Sequence, residues 1–361
     1  RTHAIELLRG EAGKDPHAHC ASAPDLPGSR WPQGSAQGYC ALFARPMFDL
    51  QAIAGSLENT GRRMRLHSEL DTLLDRIVAE RAREMELHRA FRVFDGSPAA
   101  GRVARQWQAL EPESTYANTA LGLHYLAAAV DARGTAYMHE TPPAALAEMQ
   151  RLAGKSKPHL LTAMSRDPRV TPACVASMRL GRYASDDDLV RRGLEVCMKW
   201  GPAGYAFVQE MQTHAEPRWG GSDTALAQVS DYARARQLAN PALAALTGEP
   251  MLYHLTNPPG GFPVSPTPET AETTLDLALK VPNPYVLRFA ADHQMMTGSL
   301  WAGIALLSQS VRLAPMEVHT RKMRGDYLVD ADELERLLVD ALDLFARVDC
   351  DADHHAVAHR G

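Results

Sequence analysis

The chain has 361 residues, 45% of them hydrophobic and 22% charged, with a formal net charge of −5. That composition excludes a wholly disordered chain, and length alone predicts two or three domains. Basic and acidic residues are mixed, so no nucleic-acid partner is announced, and no apolar run reaches the ~18–20 residues that a membrane span needs.

Residues 1–46 read as a loop-rich N-terminal segment, because "PDLPGSRWPQGSAQG" is dense in Pro, Gly and Ser and poor in periodic apolar positions. The opening, "RTHAIELLRG", has neither an initiator Met nor the apolar stretch of a signal peptide. From residue 47 to 247 the pattern is helical. Leu66, Leu70, Leu73, Leu74, Ile77 and Val78 recur at three- and four-residue steps, which predicts an amphipathic helix of several turns. Met85 and Phe94 extend it less regularly towards a stop at Asp95-Gly96-Ser97-Pro98. Arg62, Arg63 and Arg65 open that helix and acidic residues follow them, so they read as a solvated face.

Helices then follow closely. "TYANTALGLHYLAAAVDARG" ends at Gly134, and "TPPAALAEMQRLAG" runs from a Thr141 cap to Gly154. "SKPHLLTAMSRDP" is short and stops at Pro168, and "TPACVASMRLGR" opens on a second Thr-Pro. "SDDDLVRRGLEVCMKWG" offers Ser185 as a cap and three Asp for the positive end of the helix dipole. Ala and Leu dominate over β-branched and aromatic residues, so strands should be minor. Residues 248–269 carry six prolines and three glycines and read as a linker or long loop, the main break in the chain. Beyond it, residues 270–361 repeat weakly: Pro284 and Pro315 lie 31 apart and Asp351 lies 36 further on. A period near 34 residues is the signature of tetratricopeptide-like helix pairs, the last of which reads as cut off at Gly361. The expected fold is therefore all-α, an α-solenoid of antiparallel helix pairs.

The most distinctive stretch is Pro217-Arg218-Trp219-Gly220-Gly221-Ser222. Read as a corner, it uses Gly220 or Gly221 at positive φ and Ser222 or Asp223 as a helix cap. Trp219 fills the space between helix pairs, and Arg218 bonds the carbonyls that end the preceding helix. Read as a site, Gly-Gly-Ser before a helix start cradles an anion and Arg218 adds charge. Together with "ALGLHYLAAAVDARG" and "SRDPR", this stretch resembles a bacterial family catalogued as domain of unknown function 4034, over about residues 100–235. The resemblance implies an all-helical, tetratricopeptide-like fold and transfers no chemistry.

Five cysteines (Cys20, Cys40, Cys174, Cys197, Cys350) are an odd number, widely spread, with no Cys-x-x-Cys pair. They predict buried or idle thiols in a reducing compartment, with cytoplasm as the expected location. "HAHC" (His17, His19, Cys20) lacks a matching second cluster for zinc. "DCDADHHAVAH" (Asp349 to His359) departs from a calcium loop, with His354 at the sixth position and Arg360 at the twelfth, and reads as a capping turn. No metal or cofactor is expected. Gly-x-Ser-x-Gly and His-Glu-x-x-His are both missing, and no catalytic residue is assigned. The expected function is a non-enzymatic scaffold for a protein or peptide partner. The alternatives are a small-ligand or anion-binding protein or enzyme with its site at Arg218–Ser222, and an immunity or adaptor protein for one partner.

Overall fold

Asn59, Ser97, Ser114, Gly134, Ser222 and Thr267 become helix ends. The computed structural model describes residues 1–11, 15–42, 44, 47–80, 83–136, 140–258 and 265–331, and among these it is all-α, with eighteen α-helices and no strand. They are α1 (Thr2–Glu11), α2 (Pro16–Ser22), α3 (Ser35–Leu42), α4 (Leu50–Leu57), α5 (Thr60–Ala79), α6 (Met85–Phe91), α7 (Pro98–Leu110), α8 (Thr115–Arg133), α9 (Pro143–Arg166), α10 (Thr171–Ala184), α11 (Asp187–Trp200), α12 (Tyr205–Ala215), α13 (Asp223–Arg234), α14 (Glu249–Thr256), α15 (Pro268–Lys280), α16 (Pro284–Met296), α17 (Leu300–Leu313) and α18 (Val318–Asp330). Asn59, Ser97, Ser114, Ser222 and Thr267 each cap a helix by accepting a backbone N–H two or three residues into it. No helix of the described residues is long and apolar enough to cross a membrane.

The chain divides into two compact units: residues 44–240 form one, and residues 1–43 with 241–361 form the other. Within the 44–240 unit, α8 and α9 pack antiparallel. Going up α8, Asn118, Gly122 and Ala129 meet His159, Leu160 and Met149 going down α9. Gly122 is required there: a Cβ would stand 2.6 Å from Leu160, while Ser156 Oγ donates to the Gly122 carbonyl at 2.7 Å. α10 and α11 pair in the same sense and are joined by a Cys174–Cys197 disulfide. One apolar core of this unit gathers Leu66, Leu70, Leu73, Phe91, Trp107 and Tyr116.

In the other unit the N-terminal helices cover α17. Ala4 and Leu8 of α1 share a core with Ile304 and Leu328. Arg312 of α17 is fully buried; its Nε donates to the Cys20 carbonyl at 2.8 Å and its Nη1 to the Pro24 carbonyl at 3.0 Å and the Asp25 carboxylate at 2.8 Å. A Cys20–Cys40 disulfide ties α2 to α3. Glu11 makes ion pairs of 2.9 Å with Arg321 and with Arg324.

Several expectations are corrected. Residues 1–46 hold three helices where a loop-rich segment was expected, because α1 and α3 pack on distant sequence, α1 through Ala4 and Leu8 against Ile304 and Leu328 and α3 against residues 241–246. The unit boundaries fall at 43/44 and 240/241, and α14 occupies the start of the 248–269 stretch, while residues 259–264 lie outside the described residues. The long helix expected from Leu66 stops at Ala79, and α6 is separate.

Gly154 is no helix end either, since α9 runs through it and through Pro158. A proline ring crowds the carbonyl four residues earlier. Here that residue is Gly154, exposed and with nothing within 4 Å of its Cβ position, so the turn can open towards solvent. Ser185 is the left-handed residue that ends α10 (φ 53°), and Asp186 caps α11 in its place. Four of the five cysteines are paired rather than idle, and Cys350 lies outside the described residues with the Asp349–His359 stretch. The pairing was hidden because cysteines 20 and 23 residues apart become neighbours only once helices fold back on each other.

Candidate functional site

The Arg218–Ser222 stretch forms the corner between α12 and α13. After the Glu216 cap, Pro217–Trp219 make one 3₁₀ turn, and Gly220 follows at φ 89°. Backbone bonds then close the corner. Gly220 N–H donates to the Pro217 carbonyl at 3.0 Å, Gly221 N–H to Glu216 at 3.1 Å and Ser222 N–H to Ala215 at 3.0 Å. Gly221 is needed for space: a Cβ would lie 2.1 Å from the Ala215 oxygen. Ser222 Oγ accepts from Ala225 N–H at 3.1 Å and caps α13. The three N–H groups that would cradle an anion are therefore already engaged inside the corner.

Arg218 Nε donates to the buried Glu216 carboxylate, a partner different from the helix-end carbonyls expected for it. Trp219 is half-buried rather than enclosed. Its ring meets Tyr183 edge-on at 5.6 Å, the Arg182 guanidinium at 4.4 Å and the Arg133 guanidinium at 5.9 Å. Arg182 in turn donates from Nε and Nη2 to Glu210 Oε1 (3.1 and 2.9 Å), and Arg179 donates to Glu210 Oε2 at 3.0 Å. The ends of α8, α10 and α12 thus converge on this corner. Arg133 has no acidic partner among the described residues, and the Trp219 Nε1 donor is buried without one.

Two further features had no clear signal in the sequence. Glu84 is buried; its Oε1 lies 2.9 Å from His88 Nε2 and 3.3 Å from Thr171 Oγ1, and its Oε2 has no hydrogen-bond partner among the described residues. The cavity beside it, of about 10 Å³, has room for one water and not for a substrate.

The second feature is an open groove between α4 and α5. Asp49 and Asn59 cap these two helices, through Ala52 N–H at 2.7 Å and Arg62 N–H at 2.9 Å, and fix them as a hairpin. Two concavities of about 340 and 300 Å³ run along it and share Phe48, Arg65 and Glu69. The floor is apolar (Phe48, Ile53, Leu66, Leu73), and the rim is polar (Arg62, Arg65, Ser68, Thr72, Arg76). On α5, Arg62, Arg65, Glu69, Thr72 and Arg76 follow at steps of three and four, which places them on one face. The arginine cluster expected to be a uniform solvated face divides here. Arg62 pairs with Glu58 at 2.7 Å, and Arg63 turns away to the Leu57 carbonyl and Glu111. Arg65 and Arg76 are exposed along the groove, and no described residue pairs with them.

Among the described residues no group of three or more His, Cys, Asp or Glu could hold a metal ion, and Cys20 of the "HAHC" stretch is in a disulfide. Compared with known proteins, the chain matches no family model, and no curated protein or solved structure matches it.

Proposed function

We propose that the chain is a helical-repeat scaffold, built of stacked antiparallel pairs in the manner of tetratricopeptide-like solenoids, that binds a protein or peptide partner without catalysing a reaction. The observation that carries this reading is the α4–α5 groove, an open trough with an apolar floor and, on its rim, two arginines that no described residue pairs. Partner peptides commonly dock in such troughs, apolar side chains down and polar ones at the edge. Helix pairs that pack in chain order, as α8 with α9 and α10 with α11, support the repeat reading. The resemblance of residues 100–235 to domain of unknown function 4034 is kept as part of this proposal, and it adds fold and no chemistry. The two disulfides favour an oxidising compartment over the cytoplasm expected from the cysteine spacing.

A second reading puts an anionic small ligand at Arg218–Ser222. It is favoured by the Arg133 guanidinium, which lies over Trp219 without an acidic partner among the described residues. One experiment separates the two. The full chain is immobilised and offered a displayed library of random peptides, and selected peptides are then titrated in solution. Saturable binding that inorganic phosphate does not displace is expected. No enriched peptide, with a phosphate-dependent rise in melting temperature that Arg133→Ala abolishes, would overturn the scaffold reading in favour of the second.

A further inference from the structure

We infer that the α4–α5 groove takes an acidic, amphipathic helical segment of a partner protein, with one negative charge near each end of the segment and apolar residues between. This inference rests on the peptide-binding reading and specifies the partner's chemistry. Arg65 and Arg76 are eleven residues apart on one face of α5, so they stand about 16 Å apart along the helix axis. Both are exposed, line the same concavity and have no acidic partner among the described residues. Glu69 lies between them on the same rim and is equally unpaired. The groove therefore presents a positive, negative, positive pattern over three helical turns, above an apolar floor in which Phe48 is shared by both concavities.

A helix lying along α5 answers that pattern with carboxylates at positions i and i+11. Its middle must be free of negative charge, because an acid there would oppose Glu69. Apolar residues at i+4 and i+7 share the face of the end charges and seat on Phe48. Met47, 38% exposed at one end of the groove, adds an adaptable apolar contact. A fatty acid offers one charge and cannot engage both arginines. An anionic membrane prefers a continuous basic face, and Glu58 and Glu69 interrupt this one.

The test uses the full chain and a fluorescent helical 15-residue peptide with Glu at i and i+11, Leu at i+4 and i+7, and Ala elsewhere. Saturable binding by anisotropy, weakening as salt rises, is expected. The Arg65→Glu/Arg76→Glu protein should bind it at least tenfold more weakly and should instead bind the matching peptide with Lys at both ends. Both substituted residues are exposed, so an unchanged circular dichroism spectrum is expected alongside. Equal affinity of the reversed and original proteins for the Glu peptide would overturn the groove assignment and leave peptide binding standing. Absence of any binding by the original protein would overturn the acidic-helix inference, with the displayed library deciding the broader reading by itself. Charge-reversal-sensitive flotation with phosphatidylserine vesicles, without peptide binding, would assign the groove to a membrane surface instead.

Discussion

Arg182 holds Trp219 and Glu210 at once. Its guanidinium lies 4.4 Å from the Trp219 ring centroid and donates two hydrogen bonds to Glu210 Oε1. Glu210 and Arg182 are almost fully buried, so the pair is held in a medium where an unmatched charge is costly. Arg182→Met should therefore cost about 3 kcal/mol, the usual result of breaking a buried pair from one side. Trp219→Ala should cost less, about 2 kcal/mol, since the ring is half-buried and loses mainly its cation–π and edge contacts. Urea denaturation of both variants checks the order. A Trp219→Ala protein less stable than Arg182→Met would contradict it.

The two glycines of the corner should respond differently to alanine. Gly220 is at φ 89° with nothing within 4 Å of its Cβ position, so Gly220→Ala should cost only the left-handed backbone penalty, about 1 kcal/mol. Gly221 lacks that backbone strain but has the Ala215 carbonyl 2.1 Å from its Cβ position. Gly221→Ala must open the α12–α13 corner and should cost more than Gly220→Ala. Melting temperatures of the two variants test this, and the reverse order would show that backbone conformation governs the corner.

Cys174 and Cys197 are fully buried in the α10–α11 pair. Reductant should not reach this disulfide until the 44–240 unit unfolds, so alkylation with mass mapping should find it intact in native buffer and modified in denaturant. Replacing both cysteines by Ala removes the constraint on a loop of 23 residues and should cost about 3 kcal/mol. Rapid alkylation of Cys174 under native conditions would refute the enclosed geometry.

Glu11 should make the stability of its unit acid-sensitive. Burial alone would raise its pKa, but Arg324 and Arg321 outweigh it and hold the carboxyl below its ordinary value. The unfolded chain then takes up the proton at a higher pH than the folded one. The stabilisation is complete above the ordinary range near 4.3 and is lost as pH falls through the lower folded value. Denaturation midpoints measured from pH 6 down to 3 should fall, and Glu11→Gln should flatten that dependence while lowering stability at neutral pH. A Glu11→Gln protein with the original pH profile would exclude this carboxylate as the source.

Local rules carried the reading of the sequence as far as local physics reaches. Ala- and Leu-rich periodicity declared an all-α chain, and Gly134 and Ser222 ended and opened helices as their chemistry requires. What failed was decided by contacts distant in sequence. Nothing near Pro158 shows that α8 will hold α9 together through it, and nothing near Cys20 points to Cys40. At the site, the motif was legible as a corner because its residues serve their own backbone. The groove was not, because Phe48 and Arg76 are 28 positions apart and meet only across a hairpin.

The bond from Arg312 to the Cys20 carbonyl spans 292 residues, and it sets an order of events for a chain made from its N-terminus. Residues 1–43 are made before the 44–240 unit, yet α17, which their helices cover, is the next-to-last described helix to be synthesised. At ~5–20 residues per second that wait is roughly 15–60 s. The 44–240 unit is complete in sequence long before it ends. During the interval Ala4 and Leu8 lack Ile304 and Leu328, with which they share a core, while Cys20 and Cys40, only 20 residues apart, already have each other in reach. In the nascent chain α1 is thus buried long after it is made, and the cell must shield it in the meantime.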